Sequence, residues 1–218
     1  MSVVSSDPLR LGVLGCSSIA QRSIIPAIQA SDGLTLGAVA SRSPAQAADW
    51  AERLGCQGLS YEELMASDEL DAVYVSVPTG LHAAWGRKVL SHGKHLLLEK
   101  SFTTTLEETR ELLALAAQHD LVAMEALAYV HHPFVQTIHA LLQSGRLGAI
   151  RHVDARFGFP DRSDEDIRYR RELGGGAILD TLIYPLSFCL DIDPQPFLNV
   201  SAHVINHPRF DVDGRGHL

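Results

Sequence analysis

The sequence predicts an α/β protein: a doubly wound parallel sheet with helices on both faces, followed by a smaller, partial α+β domain with an open sheet. Three observations predict it. Strand and helix patterns alternate strictly from Leu9 to Glu125, as they do where crossover helices join parallel strands. Runs such as Ala72–Val77 (AVYVSV) are apolar at nearly every residue, as strands buried on both faces are. Beyond Leu127 the alternation stops, and charged and glycine-rich stretches separate the periodic segments.

The elements follow in order. Leu9–Leu14 is the first strand; the small turn Gly15-Cys16-Ser17-Ser18 leads into a helical pattern that begins at Ile19. Leu34–Ala40 is the second strand. Ser43-Pro44 then opens a helix, serine as N-cap and proline at the first helical position, and Gly55 stops it after Leu54. A short helix follows Ser60. Pro78 ends the strand at 72–77, and a helix capped by Thr79 reaches Ser91, with Gly93 beyond. His95–Leu98 is a further buried strand. Thr105-Leu106-Glu107-Glu108 is a capping box that opens a helix to about His119. Leu121–Met124 is the next strand.

In the second half, Phe134–Leu142 reads as a helix ended by Gly145. Ile150–Phe159 alternates as a strand, with Val153, Ala155 and Phe157 on one face. After the charged loop 161–172, Gly174-Gly175-Gly176 precedes a long helix through Asp191, and Phe197–Ile205 reads as another strand. A domain boundary is placed near residue 126, giving domains 1–126 and 127–218. Two strands alone are marginal. The second domain is therefore expected to be either a piece of a longer one or a sheet completed by another chain.

Composition narrows the functional classes. The 218 residues carry 18 basic and 26 acidic side chains, a formal charge of −8, which speaks against a nucleic-acid footprint. Hydrophobic residues make up 46%, enough for a packed core. No signal peptide is read at MSVVSSDP. No apolar run is expected to span a membrane, because the longest candidate, Gly174–Leu190, contains Asp180 and Pro185. Cys16, Cys56 and Cys189 are odd in number and far apart, which fits free thiols in a reducing cytoplasm. The His131-His132, His92/His95 and His203/His207 pairs make no zinc signature.

Four features carry chemistry. The first is the turn after Leu14. A helix opening there aims backbone N–H groups and its positive dipole end at one spot, which suits a diphosphate. Gly15, Ser17 and Ala20 take the three positions of a G-x-G-x-x-G/A dinucleotide fingerprint, with Cys16, Ser18 and Ile19 between them. Ser17 departs from the second glycine, though its hydroxyl can donate to a phosphate. The second feature is Ser41-Arg42 at the end of the second strand. No acid stands between Gly33 and Ala48 to take a ribose 2′-hydroxyl, and an arginine accommodates a 2′-phosphate; this favours NADP(H). The plain alternative is a solvated loop arginine.

The third feature is Glu99-Lys100 at the C-terminal end of a strand, where open α/β sheets bind ligands. A lysine there can hydrogen-bond a substrate oxygen; the alternative is an ordinary strand-end lysine. The fourth is Asp180 and Tyr184, four apart on a predicted helix and so on one face. The tyrosine can give a proton to a forming alkoxide, especially beside a lysine. Its alternative is a buried phenol beside a satisfied acid. Arg168, Arg170 and Arg171 can face a diphosphate, or be solvated loop charges. Cys16 reads as a small turn filler.

GCSSIA, VASR (39–42), VPTGLH (77–82), EKS (99–101), ME (124–125) and GGGAILDTLIYP (174–185) occur together in order. In this the chain resembles the Gfo/Idh/MocA oxidoreductases from Leu9 onward. DIRYRRELGGG (166–176) looks most like the NADPH-dependent sugar-nucleotide 3-ketoreductases of deoxysugar biosynthesis within that family. The resemblance implies a Rossmann domain followed by a substrate domain. It implies NADP(H) bound by the turn residues, Ser41 and Arg42, by Val77, Pro78, Leu81 and His82, and by Glu99 and Lys100. It places substrate at Lys100, Arg168, Tyr169, Asp180 and Tyr184. Lys100 is implied to touch nicotinamide and substrate, Tyr184 to transfer the proton and Asp180 to be the acid one turn before it. The implied reaction moves hydride between nicotinamide and a sugar or sugar-nucleotide carbonyl or hydroxyl. Aldose or dihydrodiol dehydrogenation, or an NADP-binding piece without turnover, are the alternatives. A homo-oligomer is implied for a full-length form. No nucleic acid, membrane or metal is expected. Ser101 stands where the family has proline, so the loop at Lys100 lacks a φ restraint.

Overall fold

The computed structural model describes residues 7–195 and 198–218. The chain divides into two compact units, residues 1–126 and 127–218.

The first unit holds a six-stranded, all-parallel sheet. Its strands are β1 (Leu9–Leu14), β2 (Leu34–Ala40), β3 (Gln57–Leu59), β4 (Ala72–Val75), β5 (His95–Leu98) and β6 (Ala123–Glu125), in the spatial order 3-2-1-4-5-6. Alternate residues feed two cores. Leu14, Ala40, Val73, Val75, Leu96 and Leu98 face α3 (Tyr61–Ala66), α4 (His82–Ser91) and α5 (Leu106–Gln118). Leu11, Val13, Val39 and Tyr74 face the helix after β1 and α2 (Pro44–Leu54). This two-sided burial is why these strands read as continuous apolar runs. The strand order reverses between β1 and β4, and a doubly wound sheet binds ligands at that point, beyond the C-terminal strand ends.

The local signals act as their chemistry dictates. Ser43 caps α2 by accepting from Gln46 N–H, and Gly55 closes that helix at φ +68°. Ser60 with Glu63, and Thr105 with Glu108, form capping boxes on α3 and α5. The helix after β1 runs as a π-type turn, Ala20–Ile24, into α1 (Ile25–Gln29). Pro26 has no N–H for the carbonyl four residues back, and the hydrogen-bond ladder is widened just before it. β3, a three-residue edge strand, carries no pattern long enough to read. Thr79 opens a 3₁₀ turn, Thr79–Leu81, in place of the helix start expected there.

In the second unit, His139 of α6 (Pro133–Gln143) meets Asp191 of α7 (Ile183–Ile192) through Nε2 and Oδ2 at 2.8 Å, and Tyr129, in the 3₁₀ turn before α6, meets the Ser187 hydroxyl of α7 at 2.8 Å. A π-type turn, Ile178–Leu182, runs into α7, again shortly before a proline, Pro185. β7 (His203–Asn206) and β8 (Asp213–His217) form an antiparallel pair. The strand expected at Ile150–Phe159 is not formed. Its alternation is present, but no neighbour among the described residues hydrogen-bonds its backbone, and alternation alone makes no ladder. The strand expected at Phe197–Ile205 is confined to β7; Phe197 itself lies outside the described residues. β8 was not expected, since DGRGH carries no strand pattern. Val135 and Val212 are the buried hydrophobic side chains among the described residues of this unit. By length and composition alone, the stretch Arg171–Ile192 could cross a membrane, an 18-residue window in it having a mean hydropathy of 1.4, which corrects the expectation that no run reaches that length.

Candidate functional site

The turn at Gly15 is built around one glycine. Its φ is +101°, and a Cβ there would lie 3.1 Å from the Ser76 carbonyl oxygen. Ser76 in turn binds the turn: its N–H donates to Leu14 O at 2.9 Å and its hydroxyl to Gly15 O at 2.9 Å. The end of β1 is thus fastened to the end of β4 at the switch point. Ser17 Oγ accepts from Ala20 N–H at 3.1 Å, so the serine in the second-glycine position caps the helix. A hydroxyl that accepts still has a proton to donate. Ser18 and Ile19 are exposed, and no hydrogen bond among the described residues uses their N–H groups. These unsatisfied donors at a helix start are what a pyrophosphate needs. Cys16 is half-buried and burial pushes its thiol up to about 11, which suits a filler and not a nucleophile.

At the end of β2 the two expected residues part company. The Ser41 hydroxyl turns inward, donating to Gln46 Oε1 at 2.6 Å and accepting from Ser43 N–H at 3.2 Å. Local turn geometry thus engages the hydroxyl of Ser41, a residue expected at the cofactor. Arg42 is exposed and makes no hydrogen bond or ion pair among the described residues.

Lys100 lies two residues beyond the end of β5, and its peptide bond to Ser101 is cis. Val77, Pro78 and Leu81 are half-buried around the turn after β4. The His82 side chain, expected at the cofactor, is buried in this structure. It is 1% exposed, with Nδ1 at 2.8 Å from Ser101 O and Nε2 at 2.9 Å from Val77 O. Burial lowers its pKa, while the carbonyls of Val77 and Ser101 pull the other way. Glu99 accepts from the Tyr74 hydroxyl at 2.6 Å and from Lys100 N–H at 3.2 Å. Tyr74 is fully buried, and burial followed by the Glu99 charge raises its pKa. Glu125 accepts from Phe102 N–H at 2.8 Å. Its pKa is raised by burial, lowered by the Phe102 bond, raised by Glu99 and lowered by Lys100. The sequence reading gave no role to Tyr74 or Glu125. A tyrosine inside a doubly buried strand must find a hydroxyl partner, and that signal points to Tyr74.

In the second unit, Asp180 is a satisfied acid. Its Oδ2 takes Arg168 Nε at 2.6 Å, and Arg168 Nη1 also reaches Asp166 Oδ1 at 3.2 Å. Two carboxylates, Asp180 and Asp166, thus compensate the charge of Arg168, the residue expected to face a diphosphate. Tyr169 accepts from Arg162 N–H at 2.9 Å and stacks on Phe210 at 4.4 Å between ring centroids. The Tyr184 ring lies 4.7 Å from Phe157 and 6.1 Å from Tyr129. Asp213 accepts from Ile178 N–H at 2.6 Å and closes over Gly176, where a Cβ would overlap its carboxylate. A cleft of about 1250 Å³ among the described residues includes Arg168, Tyr169, Asp180 and Asp213 in its lining, but not Tyr184.

A family profile described as an oxidoreductase family with an NAD-binding Rossmann fold matches residues 9–127. The chain belongs to the Gfo/Idh/MocA oxidoreductases. The C-terminal domain profile of the same family matches residues 135–218. The chain is 41% identical over 210 residues to dTDP-3,4-didehydro-2,6-dideoxy-α-D-glucose 3-reductase of Saccharopolyspora spinosa, covering 95% of this chain and 63% of that one. It is 39% identical to D-xylose 1-dehydrogenase (NADP(+)) 2 of Haloferax volcanii, covering 82% and 55%. A crystal structure of a 3-ketoreductase from Actinomadura kijaniata, in complex with NADP and TDP-benzene, superposes with a TM-score of 0.81 at 36% identity, covering 91% of this chain and 60% of that one. The chain spans less than two thirds of the length of these relatives.

Proposed function

We propose that this Gfo/Idh/MocA chain serves NADP(H)-dependent hydride transfer between nicotinamide and a sugar carbonyl or hydroxyl, the sugar being nucleotide-linked. The observation that carries the reading is the switch-point turn: a glycine at φ +101° followed by exposed, unsatisfied N–H groups at a helix start. The cofactor fits these residues. Ser18 and Ile19 N–H groups and the Ser17 hydroxyl hold the pyrophosphate, and Arg42 takes the 2′-phosphate. Relatives from S. spinosa and A. kijaniata, a sugar-nucleotide reductase and a ketoreductase described with NADP, support the choice of substrate and cofactor.

Bound NADP(H) supplies or accepts the hydride. Lys100 donates a hydrogen bond to the substrate oxygen and stabilises charge that develops there. Tyr184 delivers the proton as a general acid in reduction and recovers it as a base in oxidation. Asp180 is a positioning residue held by Arg168. Three free thiols fit a reducing compartment. Aldose dehydrogenation is the second reading, favoured by the likeness to the H. volcanii xylose dehydrogenase. The test is a panel of keto sugars, nucleotide-linked and free, followed through NADPH absorbance. Turnover of the nucleotide-linked members supports the reading, and turnover confined to free aldoses supports the second. No NADPH binding at all overturns both.

A further inference from the structure

The loop after β5 is buried but has no regular structure. Ser101, Phe102 and Thr103 are 8%, 9% and 7% exposed. Main-chain polar groups in such a segment need partners inside the protein, and a helix or strand would find them in other backbones. Here side chains supply them. Lys100 N–H donates to Glu99 Oε2 at 3.2 Å, Ser101 C=O faces His82 Nδ1 at 2.8 Å, and Phe102 N–H donates to Glu125 Oε1 at 2.8 Å.

Each holder is itself held or framed. His82 opens α4, and its Nε2 lies 2.9 Å from Val77 O, just beyond β4. Glu99 is tied to the hydroxyl of Tyr74, in the middle of β4. Glu125 is the last residue of β6, on the other flank of β5. The segment that carries Lys100 is therefore gripped from both neighbouring strands. A proline at position 101 would restrict the loop by its own ring. Ser101 has no such ring, so the grip falls to the side chains around it. The charges agree with this closeness: Glu125 feels both Glu99 and Lys100.

We infer that His82 and Glu125 are positioning residues for Lys100, fixing the lysine by holding the peptide groups that follow it. The significance of that placement rests on the proposed role of Lys100 at nicotinamide and substrate. The placement itself is testable without any ligand. Neither residue has to touch substrate, because both ring nitrogens of His82 face carbonyl oxygens, one of which its N–H can bond, and Glu125 Oε1 takes the Phe102 amide.

The chain has three lysines, Lys88, Lys94 and Lys100, so reductive ¹³C-dimethylation, which keeps the charge, gives a sparse NMR spectrum. Lys100→Arg assigns its resonance. Lys88, over the Trp85 ring at 4.1 Å, reports on the fold elsewhere. In the 218-residue chain, Glu125→Ala and His82→Leu are expected to split the Lys100 methyl resonance or broaden it at least twofold, with Lys88 unchanged. Glu125→Gln keeps an acceptor for Phe102 N–H and His82→Asn keeps a donor for Ser101 O, so both restore the narrow signal. A Lys100 resonance unmoved by Glu125→Ala overturns the inference, as does an equal change at Lys88. Should His82→Leu fail to fold, Glu125→Ala and its rescue by glutamine decide the matter. Added NADPH is expected to shift the wild-type Lys100 resonance. If it does not, the proposed role of Lys100 fails, while the response to Glu125→Ala still decides the positioning.

Discussion

Gly15→Ala separates two physical causes at the cofactor turn. The backbone is at φ +101°, where a side chain costs about 1–3 kcal/mol. The new Cβ would also lie 3.1 Å from Ser76 O and 3.2 Å from Ser76 Oγ. Neither neighbour can retreat easily, because Ser76 N–H is bonded to Leu14 O and its hydroxyl to Gly15 O. Overpacking of this kind adds about 1–3 kcal/mol. The sum, about 2–6 kcal/mol, corresponds to a fall in Tm of at least about 6 °C for a unit of this size. Gly55→Ala is the control: its φ is +68°, but nothing lies within 4 Å of the added Cβ. It meets only the left-handed penalty of about 1–2 kcal/mol. The chain has two tryptophans, Trp50 and Trp85, both in the first unit, so intrinsic fluorescence follows that unit's melting. If Gly15→Ala melts no lower than Gly55→Ala, the contact with Ser76 is not doing what its geometry says.

Arg42→Ala should erase most of the preference for NADPH over NADH, since a charged hydrogen bond contributes about 1.5–3 kcal/mol; equal loss of affinity for both cofactors in a fluorescence titration would disprove a 2′-phosphate contact. Tyr184→Phe should slow single-turnover NADPH oxidation by about 10²–10⁴ with little change in NADPH affinity, and a rate near wild type would remove Tyr184 as the proton donor. Glu125→Gln should stabilise the first unit progressively as pH rises. Burial raises the Glu125 pKa, so its contribution to stability is full below the unfolded carboxylate pKa and is lost as pH rises through the folded one; glutamine does not titrate. The difference in Tm between variant and wild type should therefore widen from pH 4 to pH 8, and a constant or narrowing difference would contradict the raised pKa.

The sequence by itself determined most of the first unit, though not the edge strand β3 or the 3₁₀ turn at Thr79. The doubly buried strands, the Ser43-Pro44 start, the Gly55 stop and the two capping boxes are local or short-range effects, and each is written within a few residues of where it acts. The switch-point turn is legible for the same reason, because Gly15, Ser17 and Ala20 are neighbours in the chain. Tertiary structure decided which polar groups remain available for a ligand. Arg168 and Asp180, both read as site residues, are also partners of one another, and His82, read as part of a cofactor motif, lies with its ring nitrogens against the carbonyls of Val77 and Ser101. Those pairings span up to 19 residues, and that of Glu125 with Phe102 spans 23. The missing strand at Ile150–Phe159 has the same origin in reverse. Its alternation marks which side chains face which way, but a strand exists only when another backbone meets its hydrogen-bonding edge, and no residue type in the run records whether one does.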